Sequence, residues 1–396
     1  MKRWLVLVFI VASPLCFAGD FGAIVDQKLV LGEGTLFPGK AQYAVSLVPW
    51  FAAPLWDSAD LYLSGALTAL YENEDFYVLP EIHRFELIWN FSPDLRLEAG
   101  RVPFQDSLSW IMSGLFDGAC AGWNIAGGRL SGGLFYTGLL YKKTAAIYMS
   151  MKDRWEYYDN EFYFASRRLV AGINWEKHGL LNNGFSFSAV ALFQFDLNDD
   201  SYARIHSQYL GAKIGAPLGD MFNAEFGAVA ELAEETGIDP YIAFAASAAL
   251  QWMLPTAMHD ILSFGGRFSS GAWTDQAGPF IPITAEAQGK VLKPMLSGIA
   301  LVEADYTARI HQMLSGTLSA AYYFKTDRYS YSLNNADMGT DSPLLGAEIY
   351  LCLGWLPFSD LLLSVGGGVF LPKTGKVFKD DTGLIYRVEL TASVSF

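Results

Sequence analysis

Three stretches of the chain set an arginine and a glutamate two residues apart: Arg84 and Glu86, Arg96 and Glu98, Arg387 and Glu389. In an extended chain, residues two apart share a face, so each pair would present opposite charges side by side on one surface. Glu303, Asp305 and Arg309 share a face by the same count, as do Arg168 with Glu176, Arg204 with His206 and Glu225 with Glu231. Mixed charge along a water-filled wall orders passing polar solutes and sets ion preference. The same residues could equally neutralise one another as a network of ion pairs. Catalytic chemistry is poorly represented. Of the five histidines, His83 shares the parity of Phe85, Leu87 and Trp89, and no serine can be assigned to it as the partner a hydrolase would need. The sequence contains no metal-spaced His/Cys cluster, phosphate loop or nucleophile elbow, so no catalytic residue, metal or cofactor is expected.

What must hold these charges is a set of strands. Tyr386, Val388, Leu390, Ala392, Val394 and Phe396 alternate with Ile385, Arg387, Glu389, Thr391, Ser393 and Ser395, apolar against mostly polar. The pattern recurs at Phe185 to Asp196, Gly298 to Arg309 and Thr317 to Lys325, with ionisable residues always opposite the aromatic and aliphatic face. Period two with one apolar face is the signature of a strand between water and an apolar medium. The composition agrees: 52% of the 396 residues are hydrophobic and only 17% charged. After the N-terminus no apolar run is long enough for a membrane helix. Short connections (Ser92 to Asp94, Ala126 to Leu130, Pro217 to Asp220, His311 to Leu314, Phe358 to Asp360) alternate with longer polar ones (Tyr71 to Val78, Lys142 to Tyr163, Ser269 to Leu296, Thr326 to Pro343, Lys373 to Asp381). Trp50, Trp89, Trp155, Trp175, Trp252 and Trp355 fall near the expected strand ends, where they would form interfacial girdles.

The expected fold is all-β: a transmembrane antiparallel up-and-down β-barrel of about 18 strands, within 16 to 18, spanning residues 19–396. Residues 1–18 read as a cleaved signal peptide, with Lys2 and Arg3 before an apolar stretch and Cys16-Phe17-Ala18 at the cleavage site; a lipoprotein signal with Cys16 lipidated is the alternative. Cys120 and Cys352 would then remain, as thiols rather than a disulfide. Cleavage would remove two basic residues and take the formal charge from −14 to −16. Such an acidic chain is a poor nucleic-acid partner, and its overall charge leans towards cation preference.

Two features resemble known families. The alternation that ends in Phe396 resembles the C-terminal insertion signal of bacterial outer-membrane β-barrels, which implies outer-membrane localisation and recognition of the last strand by the barrel-assembly machinery. Between Leu95 and Trp123, a strand ending in Gly100-Arg101 leads into an apolar loop, Val102 to Leu115, and then Phe116-Asp117-Gly118. This segment resembles the inward loop of alginate-export and phosphate-selective porins. An apolar loop needs cover, and folding inward would supply it, placing Arg101, Phe104, Asp106, Trp110 and Asp117 at a constriction. The acidic excess departs from those families, so their anionic substrates do not carry over. The reading that follows is a passive channel for small hydrophilic solutes or ions, in contact with outer-membrane lipid and open to homo-oligomerisation. One alternative is a selective transporter of hydrophobic or larger solutes, favoured by apolar positions such as Val190, Leu192 and Leu210. The other is a structural or adhesive barrel acting through its 142–163 and 326–343 loops.

Overall fold

The computed structural model describes residues 19–33, 41–72, 74–180, 184–198, 204–272, 277–327, 340–379 and 382–396, so the signal segment 1–18 and most of the 326–343 loop lie outside the described residues. The strands are β1 (Asp20–Glu33), β2 (Ala41–Trp56), β3 (Ala59–Glu72), β4 (Asp75–Asn90), β5 (Leu95–Gln105), β6 (Ser113–Ile125), β7 (Gly128–Tyr136), β8 (Arg168–Leu180) and β9 (Phe185–Asp196). They continue as β10 (Ile205–Leu218), β11 (Phe222–Glu235), β12 (Tyr241–Met253), β13 (Ile261–Ser269), β14 (Ile299–His311), β15 (Leu314–Lys325), β16 (Leu344–Phe358), β17 (Leu361–Leu371) and β18 (Ile385–Ser395). Each pairs antiparallel with its sequence neighbours, and β1 pairs with both β2 and β18. The sheet is therefore a closed 18-stranded barrel, as the alternation predicts. Closure gives every strand two neighbours, as an apolar surrounding demands, although the β4–β5 ladder stops at Phe85 and Arg101.

The register fixes which way each residue faces. Lys28 of β1 bonds Glu389 of β18 and Arg387 shares that face, whereas Leu390, Tyr386 and Phe396 point away from the barrel. Outward positions are a band of exposed apolar side chains, among them Leu67, Ile82, Leu134, Phe226, Val302 and Leu351. Most tight turns cluster at one end. Between β6 and β7, Ile125 pairs with Gly128 across Ala126-Gly127, both at positive φ (53° and 70°) as a type I′ turn requires. The buried apolar core is inside the barrel, toward the other end, where inward wall residues such as Val170, Leu192, Tyr209 and Tyr323 meet side chains from the loops.

Several expectations need correction. Tyr71 to Val78 is not a long loop: Glu72 pairs with Asp75, because the ladder runs on through the polar run. The 142–163 segment contains helices α1 (Lys142–Ala145) and α2 (Met151–Tyr158), and Trp155 lies on α2, not at a strand end. Trp50 faces the lumen, stacked on Tyr62 at 6.4 Å between ring centroids, because it shares the register of inward Ser64. His206 and Leu210 face outward, being one residue out of step with fully buried Ser207 and Tyr209. His83 is the extra residue of a bulge: Ser64 pairs with Arg84 and Gly65 with Ile82.

Candidate functional site

The hairpin formed by β5 and β6 positions the hook. The ladder between β4 and β5 runs only from Asn90 and Arg96 to Phe85 and Arg101, whereas β5 and β6 remain paired out to Gln105 and Ser113. Above Arg101 the hairpin therefore leaves the wall and turns inward, carrying Val102, Phe104 and Phe116 into the core. Phe104 packs on Phe135 at 4.6 Å between centroids. The tip is wound around one carboxylate. Asp106 accepts from the backbone N–H groups of Leu108 (2.8 Å) and Ser109 (2.9 Å) through Oδ1, and of Ile111 (2.9 Å) and Met112 (2.8 Å) through Oδ2. Burying the side chains of Leu108 and Ile111 contributes roughly 2 kcal/mol each. Leu108 reaches Gly211 of β10 and Gly227 of β11, where a Cβ would crowd it, and Trp110 also lies against Gly227.

A second loop between β13 and β14, described at residues 270–272 and 277–298, lines the inside of the wall. Two wall carboxylates hold its backbone. Glu231 accepts from Ile281 N (2.8 Å), and Glu348 accepts from Lys290 N (2.7 Å) and Leu292 N (2.8 Å). Tyr209 donates to Ile281 O (2.5 Å) and Tyr323 to Gln288 O (3.2 Å). The loop meets the hook where Thr284 N donates to Ile111 O (3.1 Å) and Ser113 N to Thr284 Oγ1 (2.9 Å). The helical 137–167 segment joins them through Ala285 N to Ala146 O (3.0 Å). Fully buried Arg168 anchors that segment by pairing with Asp153 of α2 and with Asp196 (3.1 Å). Three segments thus fill the long-loop end of the lumen on the side of β8 to β17.

The opposite side stays wet. Arg84 bonds Glu86 (2.6 Å), Arg96 bonds Glu98 (2.6 Å), Arg387 bonds Glu389 (2.7 Å), and Lys28 also bonds Glu389 (2.7 Å). These inward side chains include Lys28 at 49% and Arg96 at 47% exposure, far above the buried inward residues of β9 to β12. Arg84 also stacks on Tyr62, 4.7 Å from the ring centroid. Lys293 of the second loop faces the same region: burial first, and then the charges of Arg387, Lys28 and Lys290, outweigh the attraction of Glu389 and lower its pKa to about 8.

The expected site residues therefore separate. Arg84, Glu86, Arg96 and Glu98 lie on the neighbouring strands β4 and β5, whereas Arg387 and Glu389 lie on β18, with β1, β2 and β3 between. Glu303 lies inward on β14, bonded to Arg267 (2.5 Å), with Asp305 and Arg309 following on the same strand towards the short-turn end. Phe104, Asp106 and Trp110 belong to the inward hook, as packing and capping groups. Arg101 and Asp117 do not line the lumen. They form a two-pronged pair (2.8 and 2.9 Å) on the outward parity of the wall, Arg101 lying opposite exposed Phe85 in the ladder. Counting in twos from Arg96 and Glu98 would have reached Gly100, Val102 and Phe104 as inward and Arg101 as outward. Lys28 was similarly legible from Ile24, Asp26 and Lys28 in β1, but Lys290 and Lys293 lie in a loop whose sequence has no period to read. Val190 and Leu192 do point inward, but the hook covers them, so they present no apolar channel wall.

No protein-family model matches the chain, and no curated protein does. Solved structures match over nearly its whole length. Pseudomonas aeruginosa OccK5 (OpdH) superposes with a TM-score of 0.64 at 11% identity, covering 96% of this chain and 98% of that one. OccK2 (OpdF) of the same organism, solved in complex with glucuronate, gives 0.63 at 13% identity, covering 96% and 98%. The P. aeruginosa outer membrane protein OpdK gives 0.62 at 11%, again covering 96% and 98%. The fold is that of bacterial outer-membrane porins.

Proposed function

We propose that this protein is a passive channel of the bacterial outer membrane for small hydrophilic solutes or ions. The observation that carries this reading is the inward-facing, solvent-reached band of ion pairs on β18, β1, β4 and β5, beside loops that fill the rest of the lumen. Water and polar solutes have a polar path there, and the loops narrow it. Glucuronate, bound in one structural neighbour, is a solute of the class meant. The short-turn end is assigned to the periplasm, residues 1–18 to a cleaved export signal, and the outward face ending in Phe396 to recognition by the assembly machinery. Lys28, Lys290 and Arg387 act on Lys293 against the single carboxylate of Glu389, so the local field there favours anions weakly, opposite to what the overall negative charge suggests. The role is transport rather than catalysis.

Swelling of liposomes containing the folded protein tests the reading. Swelling should fall with sugar size, and the protein should give discrete conductance steps in planar bilayers. Liposomes that do not swell with any sugar, together with silent bilayers, would leave a structural or adhesive barrel as the remaining reading.

A further inference from the structure

Among the described residues, the wall has a breach between β4 and β5. β3 pairs with β4 along its whole length to Asp75, and β5 pairs with β6 to Gln105, but above Arg101 no strand pairs with the free edge of β4. An unpaired strand edge in hydrocarbon would normally be too costly to persist. Here side chains take the ladder's place. Arg101 Nη1 donates to Ile82 O, and Tyr163 Oη donates to Pro80 O (2.6 Å). With the carbonyls of Pro80 and Ile82 bonded in this way, that part of the edge can face an apolar medium without a partner strand.

A cavity of about 440 Å³ occupies the breach. It is bordered by Val78 and Ile82, which point out of the barrel, and also by Leu79, which by alternation points in. A cavity that touches both faces of one strand lies at that strand's edge and extends into the thickness of the wall. Its depth follows from Trp89, at the short-turn end of β4. A strand crosses the hydrocarbon in about 9–11 residues, so Val78 to Ile82 lie in its outer half. At the bottom, Arg101 spends four of its five N–H donors on Asp117, Ile82 O and Leu139 O. Asp117 neutralises the arginine, and Glu81, which also lines the cavity and accepts from Thr144 (3.2 Å), disfavours a phosphate or carboxylate there. The rest of the opening onto the membrane is apolar, with Val78, Ile82, Leu139 and Phe164 all exposed.

We propose that this breach is a binding site for one acyl chain of an outer-leaflet lipid, which enters sideways and completes the wall where the strand ladder stops. The Arg101–Asp117 pair and the Glu81 carboxylate disfavour an anionic headgroup at that depth, and the apolar rim is continuous with the lipid-facing surface. The proposal rests on the membrane-barrel reading and goes beyond the solute path along the lumen.

Site-directed spin labelling tests it in the full chain with Cys16, Cys120 and Cys352 replaced by serine, reconstituted in phosphatidylcholine vesicles. Labels at Ile82→Cys, facing lipid, and at Ser46→Cys, facing the lumen, set the two limits of accessibility to oxygen and to a water-soluble nickel chelate. The label at Leu79→Cys should give an oxygen-to-nickel ratio matching Ile82→Cys and severalfold above Ser46→Cys, despite its inward parity. Glu81→Cys, the other inward residue at the edge, should give the same result should Leu79→Cys fold poorly. A nickel-accessible label at these positions overturns the proposal by making the breach aqueous. A label reached by neither reagent overturns it by showing the breach packed shut with protein. Failure of the Ile82→Cys label to see oxygen would instead overturn the membrane reading itself.

Discussion

Arg101 shows how much one side chain can do without touching solute. It pairs with Asp117 through two hydrogen bonds and also donates to Ile82 O and Leu139 O, tying β4, β6 and the helical segment together at the point where the hairpin leaves the wall. Removing one partner of a buried ion pair costs about 3–5 kcal/mol, because the other charge is left without compensation. Arg101→Ala should therefore lower the denaturant midpoint of the folded barrel markedly while leaving ion selectivity near wild type. A large selectivity change with unaltered stability would place the residue in the pore after all. The positions of Arg84, Glu86, Arg96, Glu98, Arg387 and Glu389 were legible in the sequence, because period two is rigid along a strand and a single register decides every residue on it. Arg101 was misplaced because the segment after Gly100 reads as a loop, although it remains paired with β6.

At the scale of elements, the wall was readable and its filling was not. Strand alternation survives in any barrel, but the inward loops are held by contacts between residues far apart in sequence, such as Lys290 and Leu292 with Glu348, and no local pattern encodes them. The hook fits because the wall opposite it has no side chains to spare. A Cβ on Gly227 would lie 2.8 Å from Leu108 Cδ2. Gly227→Leu should therefore push the tip off β10 and β11, at a cost of about 1–3 kcal/mol for overpacking. Single-channel conductance should fall, because a tip displaced from β10 and β11 moves towards the open path on the other side of the lumen. Unchanged conductance would mean that the tip lies beside the path and does not narrow it.

For the molecule as a whole, net charge and the local charge near Lys293 differ in sign. The chain carries a formal charge of −14, but the charged groups acting on Lys293 are Arg387, Lys28 and Lys290 against one carboxylate, Glu389. Lys293 makes that local balance sensitive to pH. Its pKa is lowered to about 8 by burial and by neighbouring cations, so it is protonated below that value and neutral above it. Anion preference, read as reversal potential in a salt gradient, should therefore decline as pH rises through about 8. Lys293→Met should show the reduced preference at every pH and lose the step. A step that survives in this variant would assign the titration to another group. The closure of the wall has a consequence of a different kind. Ala23 N donates to Phe396 O (3.3 Å) and Phe396 N to Ala23 O (2.9 Å), so the two ends of the described chain lie side by side in the same ladder. A ring of antiparallel strands has no privileged beginning. A circular permutant joined across β18 and β1 and reopened at the Ala126-Gly127 turn would contain every pairing of the present barrel, with only the order of synthesis changed.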